Sequence, residues 1–352
     1  MFSRPRLPRR RDLDVVTNLH NPRHPAWLRI LRRGVAIAAL VVGLAAGLGL
    51  LTQGVLSARD RSLYPAPGQL VDVGGYRLHL SCTGSGTPTV IMEAGGGETA
   101  LSWDKVQPEV ARRTRVCAYD RAGLGWSENG AQPRTSRQMV AELRTLLANA
   151  KIPPPYIFVA HSFGGLNALL YTSTYPQEVA GLVLVESQSG DIFDRMPSFG
   201  SFIHEQVQQL ALQRLLAPFG LVRLYIESGS FNEALALYLP ADRPIVKAQL
   251  EQTRFLSTAY DEERAMEESA RQVQGAQRPF GALPLVVITR GIYAANDDRT
   301  GWEAVQNDLT RLSTRSVHLV AAHSDHAVML EQPELVMAAI QGVMAGDLSR
   351  LH

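Results

Sequence analysis

Cysteine is nearly absent: Cys82 and Cys117 are the only two in 352 residues. Two thiols are too few for a thiol-ligated metal cluster, and neither a metal nor a cofactor is expected. Charge is also scarce, at 19% of residues against 45% hydrophobic. That balance excludes a disordered chain and a coiled coil, and leaves room for one large core or at most two domains. Internal repeats and long low-complexity segments are missing too, so a solenoid is not expected. What charge there is divides unevenly. Residues 1–33 carry nine Arg against two Asp, 34–58 carry no charge, and the remaining 294 hold 26 basic and 31 acidic side chains. The body is therefore net −5, the pI of 8.6 reflects the tail, and no nucleic-acid partner is expected.

The uncharged stretch is the first positive signal. Residues 34–51 form 18 uncharged, mostly apolar positions, and Val55 and Leu56 extend the run to 34–56. About 20 such residues, rising 1.5 Å each, cross a bilayer core. Arg29, Arg32 and Arg33 precede the run, with Arg4, Arg6, Arg9, Arg10 and Arg11 behind them. Positive charge resists translocation, so the expectation is a cytoplasmic tail over 1–33, a lipid-embedded anchor over 34–56, and the body on the extracytoplasmic side. A cleaved signal peptide is the first alternative, releasing a secreted body. Against it, Leu56-Ser57-Ala58 places Leu where a small residue is needed, and the run exceeds the usual signal core. A buried helix is the second. Four prolines, at 5, 8, 22 and 25, argue against a folded tail.

After a linker over 57–69, short apolar runs alternate with helical patterns. Runs at 69–73 and 76–82 flank Gly74-Gly75, a hairpin signal. Further strands are expected at 89–94, 115–119, 156–160, 180–185, 285–289 and 316–321, and helices at 104–113, 136–150, 163–175, 302–312 and 333–345. A hairpin followed by buried strands alternating with helices predicts an α/β fold, a mainly parallel sheet covered on both faces. Between 189 and 278 the alternation stops, and helices are expected at 202–217, 231–239, 245–259 and 261–274. We read this insertion as a helical cap over the strand ends of a core spanning 70–188 and 279–352.

The most informative segment is Tyr156-Ile157-Phe158-Val159-Ala160-His161-Ser162-Phe163-Gly164-Gly165. An apolar strand runs through small-x-Ser-x-Gly-Gly into a helix. A sharp strand-to-helix turn exposes a serine hydroxyl, and small residues two before and two after it let the turn pack on its neighbours. Ser162 is therefore the candidate nucleophile, with Ala160 standing where the pattern usually has Gly.

Together with Glu93-Ala94-Gly95-Gly96-Gly97, Tyr119-Asp120-Arg121-Ala122-Gly123-Leu124-Gly125-Trp126-Ser127 and Ser324-Asp325-His326, this segment makes the body resemble the α/β-hydrolase superfamily over about 70–188 and 280–347. The resemblance implies an eight-stranded sheet with its second strand antiparallel, a helical cap after the sixth strand, and hydrolysis by a nucleophile, a histidine and an acid.

Chain order Ser, acid, His places the base after the last strand. His326 is favoured over His323, because it precedes Ala-Val-Met-Leu-Glu-Gln-Pro-Glu, which is similar to the family's passage into its final helix. His161, beside the nucleophile, is expected to point away into packing. Two sites for the acid stay open. Glu186, at the end of the sixth strand, is favoured; Asp297 or Asp298, beyond the seventh, is the alternative, since the usual position there is Ala294. By the same resemblance the oxyanion donors are the N–H groups of Phe163 and Gly96. Asp120-Arg121 reads as a hydrogen-bonded turn supporting the active-site loops. Family strand order makes Cys82 and Cys117 neighbours, and whether they pair stays open.

The leading expectation is a membrane-anchored serine hydrolase that acts through an acyl-enzyme on a small ester-like substrate. A serine in the nucleophile's place argues against the dehalogenase and epoxide hydrolase branches. Peptidase or carbon–carbon bond hydrolysis on the same triad, and a catalytically silent binding protein, are the alternatives. Phe193, Phe199, Phe202, Phe219, Leu221, Tyr225, Phe231 and Tyr238 either line an apolar substrate pocket or pack the cap onto the sheet.

Overall fold

The computed structural model describes residues 26–351. Most of the basic tail expected over 1–33, with its four prolines, lies outside them. The described residues divide into two units between Gly47 and Leu48.

Helix α1, Ala26–Leu63, is 38 residues long. Its most apolar 18-residue window has a mean hydropathy of 2.4, and none of that window is buried. It is the one helix among the described residues long and apolar enough to cross a membrane.

In the second unit the elements follow as β1 Gln69–Asp72, β2 Arg77–Thr83, β3 Thr89–Glu93, α2 Gln107–Ala111, β4 Val116–Tyr119, α3 Ser136–Asn149, β5 Tyr156–His161, α4 Gly164–Thr174 and β6 Val179–Val185. Then come seven helices: α5 Ile192–Arg195, α6 Pro197–Leu216, α7 Leu221–Tyr225, α8 Asn232–Ala236, α9 Arg243–Leu250, α10 Thr253–Arg264 and α11 Met266–Ala276. The chain closes with β7 Leu285–Arg290, α12 Arg299–Thr310, β8 Ser316–Ala321, α13 Val328–Glu331 and α14 Pro333–Ala345.

The eight strands form one sheet in the order β1-β2-β4-β3-β5-β6-β7-β8, in which only β2 runs against its neighbours. Every residue of β3, β4 and β5 is buried, as a parallel sheet covered on both faces requires. One face packs Leu143, Leu146, Leu169 and Val305, from α3, α4 and α12; the other packs Val110, Val336 and Ile340, from α2 and α14. Cys82 and Cys117 stand opposite each other in the β2–β4 ladder, with Cα atoms 4.0 Å apart, and are disulfide-bonded.

The helix expected over 245–259 is two. Gln252 is extended (φ −76°, ψ 131°) between α9 and α10, and the carbonyl of Glu251 accepts a 2.7 Å hydrogen bond from Gln53 Nε2. A tertiary partner thus takes a carbonyl at the break, which local periodicity could not reveal. A second break, at Ala265, starts α11 later than the sequence pattern suggested.

Candidate active site

Strand β5 ends at His161 and α4 starts at Gly164, which leaves Ser162 in the turn with φ +51°. That left-handed conformation costs a side-chain-bearing residue on the order of 1 kcal/mol or more, so the surroundings must impose it. Ser162 N–H donates to the Val185 carbonyl (3.1 Å), and Ser162 C=O accepts from Gly165 N (2.9 Å) and Gln188 N (3.2 Å). The glycines are sterically required. A Cβ on Gly164 would lie 2.5 Å from the Ala94 carbonyl oxygen, and one on Gly165 would lie 2.5 Å from Ser187 Cβ. Ala160 is fully buried, and its methyl is accommodated.

His326, in the loop between β8 and α13, places Nε2 3.0 Å from Ser162 Oγ and Nδ1 3.2 Å from Glu186 Oε2. Glu186 follows β6 with φ +48° and is fully buried. Its other oxygen accepts from Trp302 Nε1 (2.9 Å) and from Arg290 N (2.8 Å). A carboxylate facing Nδ1 keeps the proton on that nitrogen, so the lone pair of Nε2 faces the serine hydroxyl. The alternative acids are engaged elsewhere. Asp297 accepts from Ala294 N (2.9 Å) and lies 3.3 Å from Arg290 Nη2, while Asp298 caps α12 through Gly301 N (2.9 Å). The loop after β7 closes on itself and consumes both carboxylates. His323 is exposed, and its N–H donates to Gln332 Oε1.

The loop after β3 approaches the same turn. Gly95 N donates to Glu98 Oε2 (2.9 Å) and Gly97 N to Glu262 Oε2 (3.1 Å), whereas the N–H groups of Gly96 and Phe163 have no partner among the described residues. Gly96 abuts Phe163: a Cβ built on it would be 3.5 Å from Phe163 Cβ. Arg121 fixes this loop, donating to the carbonyls of Ala94 and Gly95 (2.6 Å each) and pairing with Glu262 (2.8 Å) and Glu93 (3.0 Å). Asp120 accepts from Ala100 N, Trp126 N and His79 Nδ1. Burial pushes the Glu93 carboxyl up despite Arg121. Glu263, whose carboxyl lies within contact of Gly96, is pushed up to about 7 by burial and by the Glu262 charge.

His161 departs from the expectation that it points away. Its ring centre lies 4.7 Å from that of His326, its Nε2 donates to the His326 carbonyl (2.8 Å), and its Nδ1 faces Glu98 Oε2 (3.1 Å). Burial opposes a charge on His161, but the Glu98 carboxylate outweighs it and the pKa is raised. Burial likewise opposes ionised Glu98, yet His161 and the Gly95 N–H hold its carboxyl down at about 2. Glu98, Trp302 and Arg290 are neighbours that the sequence reading missed. Only Glu98 carried a signal, as a carboxylate immediately after the glycine loop.

The cap aromatics divide. Phe193, Phe199 and Phe202 form a chain of ring contacts that reaches Trp302, which in turn abuts His326 (6.4 Å). Leu221 and Tyr225 are exposed instead.

The sequence profile of the alpha/beta hydrolase fold matches residues 88–333. An uncharacterised protein from Schizosaccharomyces pombe is 27% identical over 83% of this chain, which spans 58% of that relative's length. A 2-hydroxymuconate semialdehyde hydrolase from a Pseudomonas species is 28% identical over half of this chain and 68% of its own. Among solved structures, an epoxide hydrolase from Bacillus megaterium superposes with a TM-score of 0.62 at 15% identity, covering 79% of this chain and all of that one.

Proposed function

The chain belongs to the α/β-hydrolase fold family, and on that premise we propose that it is a membrane-anchored serine hydrolase that cleaves carboxylic esters through an acyl-enzyme. The observation that carries the reading is the unbroken line Ser162 Oγ, His326 Nε2, His326 Nδ1, Glu186 Oε2, with steps of 3.0 and 3.2 Å. In the first half-reaction Ser162 Oγ attacks the ester carbonyl carbon while its proton passes to His326 Nε2. The carbonyl oxygen, now negative, is met by the N–H groups of Gly96 and Phe163. Collapse breaks the carbon–oxygen bond to the alcohol, which leaves with the proton from His326. Water then repeats the sequence on the acyl-serine and releases the acid. Glu186 holds the imidazole in the productive tautomer and stabilises its charged form.

Helix α1 is the anchor in this reading, with the body on the extracytoplasmic side, where the Cys82–Cys117 disulfide is compatible with an oxidising compartment. Fluorophosphonate labelling of the full chain in detergent tests the chemistry: labelling and aryl ester turnover are expected, and both vanish in Ser162→Ala. A folded wild type that takes no label would overturn it in favour of a silent binding protein. Alkaline carbonate extraction of membranes tests the anchor, and release of the full chain would overturn that part. Likeness to the Pseudomonas enzyme supports a second reading, carbon–carbon bond hydrolysis. Turnover of 2-hydroxymuconate semialdehyde without ester turnover would select it.

A further inference from the structure

A groove runs between the C-terminal part of α1 and the cap, entirely within residues 48–352. It consists of two adjoining cavities of about 400 and about 220 Å3 that share Arg61, Gln252 and Arg254. Leu50, Gly54 and Pro218 make one end, while Tyr64 and Trp126 line the other. The helix lies close to the cap here: a Cβ on Gly49 would be 2.4 Å from the Phe219 carbonyl oxygen.

The charges in the groove are unbalanced. Arg254 donates to the carbonyls of Ser127 (2.7 Å) and Gly125 (2.6 Å), and Arg61 donates to Gln252 Oε1 (3.1 Å). Neither forms an ion pair among the described residues. The carboxylates beside them, Asp60 and Glu251, are both taken by Arg223, which also donates to Gln53 Oε1. Burial and then the Arg61 charge press the Arg254 pKa down, with Asp120 and Glu128 acting weakly against them. Two guanidinium groups lining one groove, neither of them in an ion pair, form an acceptor for a multivalent oxyanion, which matches their donor fork.

Position decides what carries that anion. Arg61 stands five residues past Leu56, where the apolar run of α1 ends, or about 7 Å along the helix axis, the depth of a headgroup layer beyond the hydrocarbon. Tyr64 and Trp126 are the residue types that gather at that level. On the apolar side, Leu48, Leu51 and Val55 of α1 and Leu221 and Leu224 of α7 are all exposed. We propose that the groove seats an anionic phospholipid of the leaflet on the body's side, its phosphate between Arg61 and Arg254 and an acyl chain along Leu50 and Pro218. The inference rests on the reading of α1 as a membrane anchor. Such a lipid would complete the packing of α1 against α7 and α10 and fix the cap at the membrane surface.

The full chain in nonionic detergent is titrated with phosphatidylglycerol in mixed micelles, with phosphatidylcholine, and with inorganic phosphate, following tryptophan fluorescence. Saturable, salt-sensitive binding of phosphatidylglycerol is expected, weakened about fivefold or more by Arg61→Glu and unchanged by Arg299→Glu, an exposed position on α12. Arg254 also holds two carbonyls, so the exposed Arg61 carries the test, and an unchanged thermal melt shows that the variant is folded. Absence of saturable phosphatidylglycerol binding, or binding indifferent to Arg61→Glu, overturns the proposal. Inorganic phosphate competing at equal affinity overturns the lipid in favour of a free anion. Carbonate extraction, run on separate membranes, reports failure of the anchor reading by itself, and the titration does not depend on catalysis.

Discussion

Two histidine–carboxylate pairs stand side by side at the carboxyl edge of the sheet, His326 with Glu186 and His161 with Glu98. In each a carboxylate faces Nδ1; the difference lies in what Nε2 meets. For His326 it is a hydroxyl, which can give up a proton. For His161 it is a carbonyl, which can only accept, so Nε2 must carry hydrogen. The Glu98 carboxylate facing Nδ1 raises the His161 pKa against burial, which favours the charged ring. Exposure follows the same division: the His326 side chain is 44% exposed and that of His161 is 1% exposed. On the proposed reading the first pair exchanges a proton, whereas the second holds the first one's backbone in place. The lesson is that a histidine beside a carboxylate becomes a base only if its far nitrogen has a proton to take.

The largest expected effect comes from breaking the reactive pair. Ser162→Ala or His326→Ala should lower kcat by roughly 10^6-fold, and Glu186→Gln by about 10^4-fold, in steady-state ester hydrolysis. Glu98→Gln should cost much less, about tenfold to a hundredfold in kcat with KM little changed, because it loosens a positioning contact. Fluorophosphonate labelling should survive in it. A loss equal to that of Glu186→Gln would make the two pairs equivalent and break the comparison.

The buried pair should also show in stability against pH. Glu98 is held at about 2 against an ordinary 4.5, so its contribution is complete above pH 4.5 and disappears as the pH falls toward 2. His161 is raised above 6.5, so its share is complete below that value and lost as the pH rises through the folded pKa. Thermal melts across pH should fall at both ends, and His161→Gln should flatten both limbs. The smallest effect is expected at the other candidate acid. Asp298→Ala removes the α12 cap and should cost about 1 kcal/mol while leaving kcat unchanged.

What was legible in the sequence is what the chain says locally. Each strand lies within two residues of its expected bounds, because buried parallel strands are short apolar runs punctuated by glycine or polar turns. The positions of Ser162, Gly164 and Gly165 were readable because one tight turn dictates all three. Glu186 could be favoured over Asp297 and Asp298 only by strand ends, since the loop that consumes the aspartates depends on Arg290 and on the start of α12. Glu98 meets His161 across 63 residues and Trp302 meets Glu186 across 116, separations at which no sequence period operates. The break between α9 and α10 belongs to the same class, with Gln53 reaching Glu251 from 198 residues away.

Arg121 has a consequence for how such a protein can diversify. The cap leaves the sheet from β6 and returns on its neighbour β7, so the ends of the insertion are held together whatever lies between them. On the proposed reading, a change of cap would leave Ser162, His326 and Glu186 in place. Glu262, however, is a cap residue, and with Glu93 of the core it balances the buried guanidinium that fixes the loop after β3. An incoming cap without an acidic residue at that place would loosen the loop it covers. The cap is thus tied to the loop after β3 at one position, Glu262.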